Sequence, residues 1–142
     1  MSKILITGGA GYIGSHAVRL FLDKGHEVVV IDSLISSKMG AIRQLKEFGD
    51  FNFYHVDLRD KEELTKVFEK EKDIDAILHF AGLISVSEST KDPALYFDNN
   101  VFGSFNLLCM ARDYNINNFI FSSTCAVYGE SQYLPVDEKH PL

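Results

Sequence analysis

The segment KILITGGAGYIG, residues 3–14, decides the fold class of this chain. Its first five residues form an apolar run that is typical of a buried parallel strand, and the glycines that follow are typical of a sharp turn into a helix. At such a junction the free N–H groups and the positive end of the helix dipole face the turn, where they can hold an anion. The segment therefore predicts a site for the pyrophosphate of a dinucleotide.

The glycines of this turn fit two spacings. Gly9, Gly11 and Gly14 give G-x-G-x-x-G, whereas Gly8, Gly11 and Gly14 give T-G-x-x-G-x-x-G. The glycines alone do not decide between the two, and a tight turn that binds nothing is the alternative interpretation. The strand before the turn and the helical periodicity of residues 16–22 after it favour the binding site.

Composition narrows the classes of protein that fit. The chain has 142 residues, 46% of them hydrophobic, with a formal charge of −6, which predicts one globular domain that binds neither nucleic acid nor a membrane. Cys109 and Cys125 have no ligand spacing and are expected to be buried free thiols, and the scattered histidines predict no metal site. No apolar run is long enough to cross a bilayer and no leader pattern is recognisable, so we expect a reducing, cytoplasmic location.

Strand and helix patterns alternate along the chain. Apolar runs predict five strands, at Lys3–Thr7, Glu27–Asp32, Asn52–Val56, Ala76–Phe80 and Asn118–Ser122. After the first helix, three more are predicted: Met39–Phe48, a helix capped by Asp60 with Glu63 as its capping-box partner that runs to about Lys72, and one from Asp92-Pro93 to Tyr114. The chain after residue 122 shows no further convincing strand.

This alternation predicts an α/β fold of the Rossmann type, a doubly wound parallel sheet with helices on both faces. The expected strand order is 3-2-1-4-5, with residues 1–142 as one domain. Because the order reverses between strands 1 and 4, the crevice at their carboxyl ends is the expected ligand site.

Asp32 indicates which dinucleotide is bound. It ends the second strand, eighteen residues after Gly14, where a carboxylate accepts hydrogen bonds from ribose hydroxyls and repels a 2′-phosphate. An aspartate that only opens the next loop is the alternative. The position favours NAD over NADP.

Four segments together resemble the UDP-glucose (UDP-galactose) 4-epimerases of the extended short-chain dehydrogenase/reductases. They are TGGAGYIGSH (7–16), HFAGL (79–83), YFDNNVFG (96–103) and FSSTCAVYG (121–129). The resemblance covers essentially the whole chain. It implies an isomerase in which NAD takes hydride from C4 of a UDP-hexose, the 4-keto sugar rotates, and hydride returns to the opposite face.

The resemblance also implies a set of site residues. Those expected around the pyrophosphate are Gly8, Gly11, Tyr12, Ile13 and Gly14, and those expected around the adenosine ribose run from Asp32 through Ser33 to Ser37. Adenine would contact Asp57 and Leu58, and the cofactor would also be lined by Phe80, Ala81, Gly82 and Asn99. Thr124 would hydrogen-bond the reacting sugar oxygen. Three of these residues also have a purely structural interpretation. Asp57 could cap a turn, Asn99 could be a solvated helix residue, and Thr124 could be a β-branched residue that ends a strand.

The sequence departs from the family in three ways. Ser33 stands where the family often has asparagine, and Ile84 stands where it often has a lysine, which removes a cation near the phosphates. None of the six tyrosines has a lysine four residues later, although the family's catalytic base is such a pair and falls shortly after the position of Leu142. We therefore expect the NAD-binding portion of an epimerase, truncated relative to the family and inactive alone.

Two other functions remain open at this point. One is a non-catalytic module that binds NAD or a partner, and the other is a fragment of a related nucleotide-sugar dehydratase, reductase or decarboxylase. In each case the fifth strand is expected to be an apolar edge with one poorly covered face. Self-association, or a missing carboxy-terminal region, would cover it.

Overall fold

Five parallel strands form the centre of the molecule in a computed structural model that describes residues 1–141. They are β1 (Lys3–Thr7), β2 (Glu27–Asp32), β3 (Asn52–His55), β4 (Ala76–His79) and β5 (Asn118–Phe121). Their order in the sheet is β3-β2-β1-β4-β5, and every neighbouring pair is parallel. The predicted fold class and strand order are confirmed, while Leu142, the last residue of the predicted domain, lies outside the described residues.

Helices connect the strands on both sides of the sheet. They are α1 (Tyr12–Asp23), α2 (Met39–Leu45), α3 (Lys61–Lys70), α4 (Val86–Ser89), α5 (Pro93–Tyr96) and α6 (Gly103–Asp113). A π-helical segment, Phe97–Phe102, joins α5 to α6, and a 3₁₀ turn, Cys125–Tyr128, follows β5. Capping residues fix where two of these helices begin: Asp60 accepts a hydrogen bond from the Glu63 amide, and Asp92 accepts one from the Leu95 amide.

The sheet has an apolar core on each face because strand side chains alternate between the faces. Leu5, Val29 and Ile77 are fully buried on the face covered by α3 and α6. Ile6 and Val30 are fully buried on the opposite face, which is covered by α1 and α2. Burial on both faces explains why these strands read as unbroken apolar runs rather than as alternating patterns.

Several predicted elements end earlier in the structure. Three strands stop one residue short of Val56, Phe80 and Ser122, the last residues predicted for them. The helix predicted to reach Phe48 ends at Leu45, because the Phe48 amide donates to the Leu45 carbonyl and closes a tighter turn. The third helix ends at Lys70 rather than near Lys72.

Only one of the two hydrogen bonds of the capping box predicted for α3 forms. Asp60 accepts the Glu63 amide at 3.0 Å, but the Glu63 carboxylate pairs with Lys66 instead of returning to Asp60. Two short elements, α4 and the 3₁₀ turn, were not predicted. Each is four residues long, too short to show a hydrophobic period in the sequence.

The long helix predicted from Pro93 to Tyr114 is continuous, but its centre is π-helical. The wider turn lies over Phe97–Phe102, and α-helical geometry resumes at Gly103. A Cβ at Gly103 would lie 3.3 Å from the Leu58 Cβ, so the helix approaches the loop after β3 closely here. Such π segments occur frequently at functional sites.

Apolar side chains are exposed along one side of the molecule. On β5, Ile120 is 57% exposed and Phe121 60%, as predicted for an apolar edge strand. The connecting helix adds a stripe of exposed residues at helical spacing, Phe97, Val101, Phe105 and Leu108. The described residues leave this apolar surface in contact with solvent.

An ionic cluster lies at the opposite edge of the sheet. The Glu71 side chain is 3% exposed and accepts hydrogen bonds from Lys3 at 2.7 Å, from Asn52 at 2.7 Å and from the Tyr54 hydroxyl. Burial opposes ionisation of Glu71, but the hydrogen bonds from Lys3 and Tyr54 outweigh it and lower the pKa. The cluster therefore joins the amino end of β1 to β3 and to the end of α3.

Residues 1–141 contain neither a membrane-spanning helix nor a cluster of metal ligands. No helix in that range has the length and apolar character needed to cross a membrane. No group of three or more His, Cys, Asp or Glu side chains in it is arranged to hold a metal ion. Both cysteines are free, but the prediction that they are buried is wrong for Cys125, which lies exposed in the 3₁₀ turn after β5, and Cys109 is only half-buried.

Candidate functional site

The glycine turn lies at the carboxyl end of β1 and packs against the end of β4. Gly8 has φ +69°, and a Cβ there would lie 2.6 Å from the Ala81 amide nitrogen. A Cβ on Gly14 would overlap the Gly8 carbonyl oxygen, which accepts a hydrogen bond from the Gly11 amide at 3.0 Å. Because Gly8 carries the left-handed backbone, the T-G-x-x-G-x-x-G spacing describes this turn.

The start of α1 is open toward this turn. Gly11 is the N-cap and has no side chain with which to cap the helix. Tyr12 and Ile13, the next two residues, are 83% and 60% exposed. The first N–H groups of α1 are thus available to an anion at the carboxyl edge of the sheet.

Asp32 is buried beside the turn and is already hydrogen-bonded within the chain. Its Oδ2 accepts the Ala10 amide at 2.9 Å, and its Oδ1 accepts the Leu34 amide at 2.8 Å and the Ser37 hydroxyl at 2.7 Å. A carboxylate offers about four acceptor positions, so three are occupied and one on Oδ2 remains. The sequence placed Asp32 at the end of the strand correctly, but it gave no sign that the carboxylate also holds the glycine turn.

The loop after β2 carries the other two residues predicted for the ribose. The Ser33 carbonyl accepts a hydrogen bond from His55 Nε2 at 3.0 Å, which joins this loop to β3. Leu34 has φ +56°, so the chain turns sharply there and brings the Ser37 hydroxyl back to Asp32. Ser33 and Ser37 therefore lie in one loop ordered around the Asp32 carboxylate.

The two residues predicted for adenine behave differently. The Arg59 guanidinium hydrogen-bonds the Asp57 carboxylate, with Nη2 at 2.7 Å from Oδ2, and lowers the pKa of that carboxyl. Arg59 also reaches Asp98 in the π segment at 3.1 Å. Leu58 is only 8% exposed and packs in the core under α6. Its contact with adenine stays a prediction.

The segment after β4 borders the turn on its other side. Phe80 and Ala81 are half-buried and Gly82 is exposed. The Asn100 side chain accepts the Leu83 amide at 2.8 Å and donates to the Leu83 carbonyl at 2.9 Å. Asn99, the residue predicted here, donates to Asn100 Oδ1 at 2.9 Å and so supports this clamp from the π segment.

His79 is a buried residue of this region for which the sequence pattern predicted no role. It is 1% exposed at the end of β4, with Nδ1 2.6 Å from Thr7 Oγ1 and Nε2 2.7 Å from Ser104 Oγ. Burial lowers the pKa of His79 to about 4, so the imidazole is neutral at pH 7. The available signal was a polar residue at the end of a strand whose other residues are apolar.

Thr124 lies beyond β5, after a tight turn in which Ser123 has φ +58°. Its side chain is exposed, and its Oγ1 accepts the Ala126 amide at 3.2 Å, which caps the 3₁₀ turn. Thr124 is thus at the predicted edge of the sheet, with a hydroxyl proton still available for donation. The structure brings the glycine turn, Asp32 and residues 80–82 together, whereas Thr124 lies beyond the neighbouring strand.

Comparison with known proteins gives matches over nearly the whole chain. A family model described as GDP-mannose 4,6 dehydratase matches residues 5–142. The UDP-glucose 4-epimerase of Yersinia enterocolitica is 47% identical over 142 residues, which are 96% of this chain and 41% of that protein. That of Bacillus subtilis is 44% identical, over 98% of this chain and 41% of its own.

Solved structures agree with the sequence matches. The UDP-Glc/GlcNAc 4-epimerase of Campylobacter jejuni superposes with a TM-score of 0.88 at 46% identity, over all of this chain and 43% of its own. The UDP-glucose 4-epimerase of Bifidobacterium longum, solved with NAD⁺ and UDP, gives a TM-score of 0.90 at 35% identity, over 99% and 42%. The predicted resemblance to epimerases is confirmed, and this chain spans about two fifths of the length of those relatives. Because the family model matches nearly every residue, the chain belongs to the family described as GDP-mannose 4,6 dehydratase.

Proposed function

We propose that this chain is the NAD-binding portion of a UDP-glucose/UDP-galactose 4-epimerase. The observation that carries the proposal is the glycine turn. A side chain on Gly8 or Gly14 would overlap backbone atoms of Ala81 or of Gly8, so only glycine allows this close packing, and the N-cap Gly11 leaves the start of α1 without a side-chain cap. Relatives that resemble the chain over its whole length were solved with NAD bound, among them the Bifidobacterium longum enzyme. The turn and Asp32 fit that cofactor.

Each part of the crevice has a distinct task in this proposal. The N–H groups at the start of α1 hold the pyrophosphate, with Tyr12 and Ile13 exposed beside it. The free acceptor position on Asp32 Oδ2 receives a ribose hydroxyl, and the buried negative charge repels a 2′-phosphate. Residues 80–82 border the cofactor on the β4 side, and Asp57 lies toward the adenine end.

The bound NAD supplies the hydride acceptor and donor for C4 of the sugar. Thr124 donates a hydrogen bond to the reacting sugar oxygen, because its hydroxyl proton is free while its oxygen accepts the Ala126 amide. The sequence contains no tyrosine followed four residues later by lysine, the pair that resemblance to the family assigns to proton transfer. We therefore expect this chain to bind the cofactor and, by itself, not to interconvert the UDP-hexoses.

A titration of the 142-residue chain with NAD and with NADP tests the proposal. NAD at about a hundred times its dissociation constant should stabilise the fold by about 2.7 kcal/mol, which appears as a rise in Tm. NADP should bind more weakly because its 2′-phosphate meets the Asp32 carboxylate. Equal affinity for the two dinucleotides, or no response to either, would contradict the proposed site.

A matched pair of variants locates the pyrophosphate. Ile13→Asp places a carboxylate in the first turn of α1, where it favours the free helix but repels a bound pyrophosphate. Ile13→Asn has nearly the same shape without the charge. Since Ile13 is 60% exposed, both variants should fold, and only Ile13→Asp should weaken NAD binding by about tenfold or more. Equal losses in the two variants would place the pyrophosphate elsewhere.

The description of the family model supports a second candidate, a nucleotide-sugar 4,6-dehydratase. The two candidates share the dinucleotide site and differ in the nucleotide sugar that they use. A further rise in Tm of the NAD-loaded chain with UDP-glucose, and none with GDP-mannose, would favour the epimerase. The reverse result would favour the dehydratase.

A further inference from the structure

A chain of buried hydrogen bonds runs from the glycine turn to the helix on the far side of β4. The Ala81 amide donates to Thr7 Oγ1 at 3.4 Å, and Thr7 Oγ1 lies 2.6 Å from His79 Nδ1. On the other side of the ring, His79 Nε2 lies 2.7 Å from Ser104 Oγ. Thr7 and His79 are 0% and 1% exposed, so water does not compete for these bonds.

The partners of Ser104 determine which ring nitrogen carries the proton. A serine hydroxyl has one proton, and Ser104 donates it to the Asn100 carbonyl oxygen at 2.6 Å. Ser104 Oγ can therefore only accept from His79, which requires a proton on Nε2. In a neutral imidazole Nδ1 is then an acceptor, so the Thr7 hydroxyl donates to it.

The network connects the two ends of the segment that follows β4. The Thr7 hydroxyl oxygen holds Ala81 through its amide, and the Asn100 side chain holds Leu83 through both its amide and its carbonyl. His79 joins these two anchors through Thr7 on one side and Ser104 on the other. No buried side-chain nitrogen or oxygen in residues 1–141 lacks a hydrogen-bond partner, and those of this network are among the satisfied groups.

We propose that His79, neutral and protonated on Nε2, is a positioning residue that holds Ala81–Leu83 in the conformation that borders the cofactor. The inference rests on the proposed NAD site, because residues 80–82 are assigned to that site. His79 itself is buried and does not touch the cofactor. It acts by fixing the hydroxyl of Thr7, which leaves the Thr7 oxygen free to accept the Ala81 amide.

The first measurement is the tautomer of His79 in the cofactor-free chain. A long-range ¹H–¹⁵N spectrum of the uniformly ¹⁵N-labelled chain at pH 7 should show the His79 ring, identified by the loss of its signals in His79→Asn, with a protonated Nε2 and an unprotonated Nδ1. A proton on Nδ1, or a cationic ring, would overturn the proposal. This measurement needs no NAD, so it is independent of the proposed function.

The second measurement uses a matched pair at Thr7. Thr7→Ser keeps the hydroxyl, whereas Thr7→Val keeps the shape and removes it. Thr7→Val should speed hydrogen exchange of the Ala81 amide and weaken NAD binding by about tenfold, and Thr7→Ser should stay within about twofold of wild type. A third variant, Ser104→Ala, removes the oxygen that accepts the Nε2 proton of His79. Ser104 lies in α6, remote from the pyrophosphate, and this variant should shift the His79 tautomer and weaken NAD binding as well.

The outcomes separate the two proposals. A wild-type chain that does not bind NAD refutes the proposed function and, with it, the positioning role. A wild-type chain that binds NAD, with Thr7→Val unchanged in affinity, refutes the positioning role alone. Loss of stability in Thr7→Val with unchanged affinity also refutes it, because a purely structural role predicts that result.

Discussion

As the pH falls, acid should destabilise this protein through His79 before it does so through the paired carboxylates Asp57 and Glu71. The side chain is 1% exposed, and burial lowers its pKa from 6.5 to about 4. The unfolded chain therefore binds a proton at this residue between those two pH values while the folded chain does not. Stability from His79 is complete above the unfolded pKa of 6.5 and is lost as the pH falls toward 4.

The size of the effect follows from the two pKa values. At 1.36 kcal/mol per pKa unit, the whole transition is worth about 3 kcal/mol of unfolding free energy. About 2 kcal/mol of this should be lost between pH 7.5 and pH 5. Asp57 and Glu71 also have lowered pKa values, but their stabilisation is lost only below their ordinary values of 3.8 and 4.5. The interval from pH 7.5 to 5 therefore lies above the range in which these two carboxylates lose their stabilisation.

Urea unfolding followed by circular dichroism at several pH values measures this loss. The control is His79→Asn, which removes the titrating ring but can still accept from Thr7, and which shares every other titratable group with wild type. The variant should be less stable at pH 7.5, and the difference between the two proteins should shrink by about 2 kcal/mol at pH 5. Parallel pH profiles of wild type and variant would refute the reasoning.

Three further predictions concern other parts of the chain. Gly14→Ala places a Cβ on the Gly8 carbonyl and should lower the free energy of unfolding, measured with urea, by about 3 kcal/mol or more. Gly40→Ala is the control, because Gly40 has open space around it in α2, and it should raise that free energy by about 0.5–1 kcal/mol. Asp32→Asn turns an amide N–H group toward at least one of the hydrogen-bond donors that Asp32 now accepts, and this should lower the free energy of unfolding by about 1–3 kcal/mol. The same variant should reduce the ratio of NAD affinity to NADP affinity measured by calorimetry. Ile120→Lys charges the exposed edge strand and should raise the monomer fraction in sedimentation velocity, and an unchanged distribution would show that β5 does not mediate self-association.

The sequence predicted the sheet well because its strands are buried on both faces. Glu27–Asp32 is an unbroken apolar run closed by a carboxylate, and the structure gives the strand the same bounds. The element ends that were predicted wrongly lie where a local hydrogen bond determines the last residue of the element. The Phe48 amide bonds to Leu45 rather than one turn further back, and this choice leaves no trace in hydrophobic periodicity.

The site was harder to predict, because hydrogen-bond partners depend on the tertiary structure. Asp32 was predicted as a ribose ligand, and its bond to Ala10 joins residues 22 positions apart. Leu58 was predicted beside adenine, and its side chain packs under α6, which follows it by some forty-five residues in sequence. The role of His79 requires Thr7 and Ser104 together, and these come from different ends of the chain.

The double engagement of Asp32 restricts how this protein can change its cofactor. Replacing the carboxylate with a small neutral residue would admit a phosphorylated ribose, but it would also release the Ala10 amide and the loop that carries Ser37. One substitution therefore alters two traits at once, the selectivity of the pocket and the geometry of the turn. A design or an evolutionary change toward NADP must first provide another acceptor for the Ala10 amide, because the same carboxylate selects the cofactor and holds the turn.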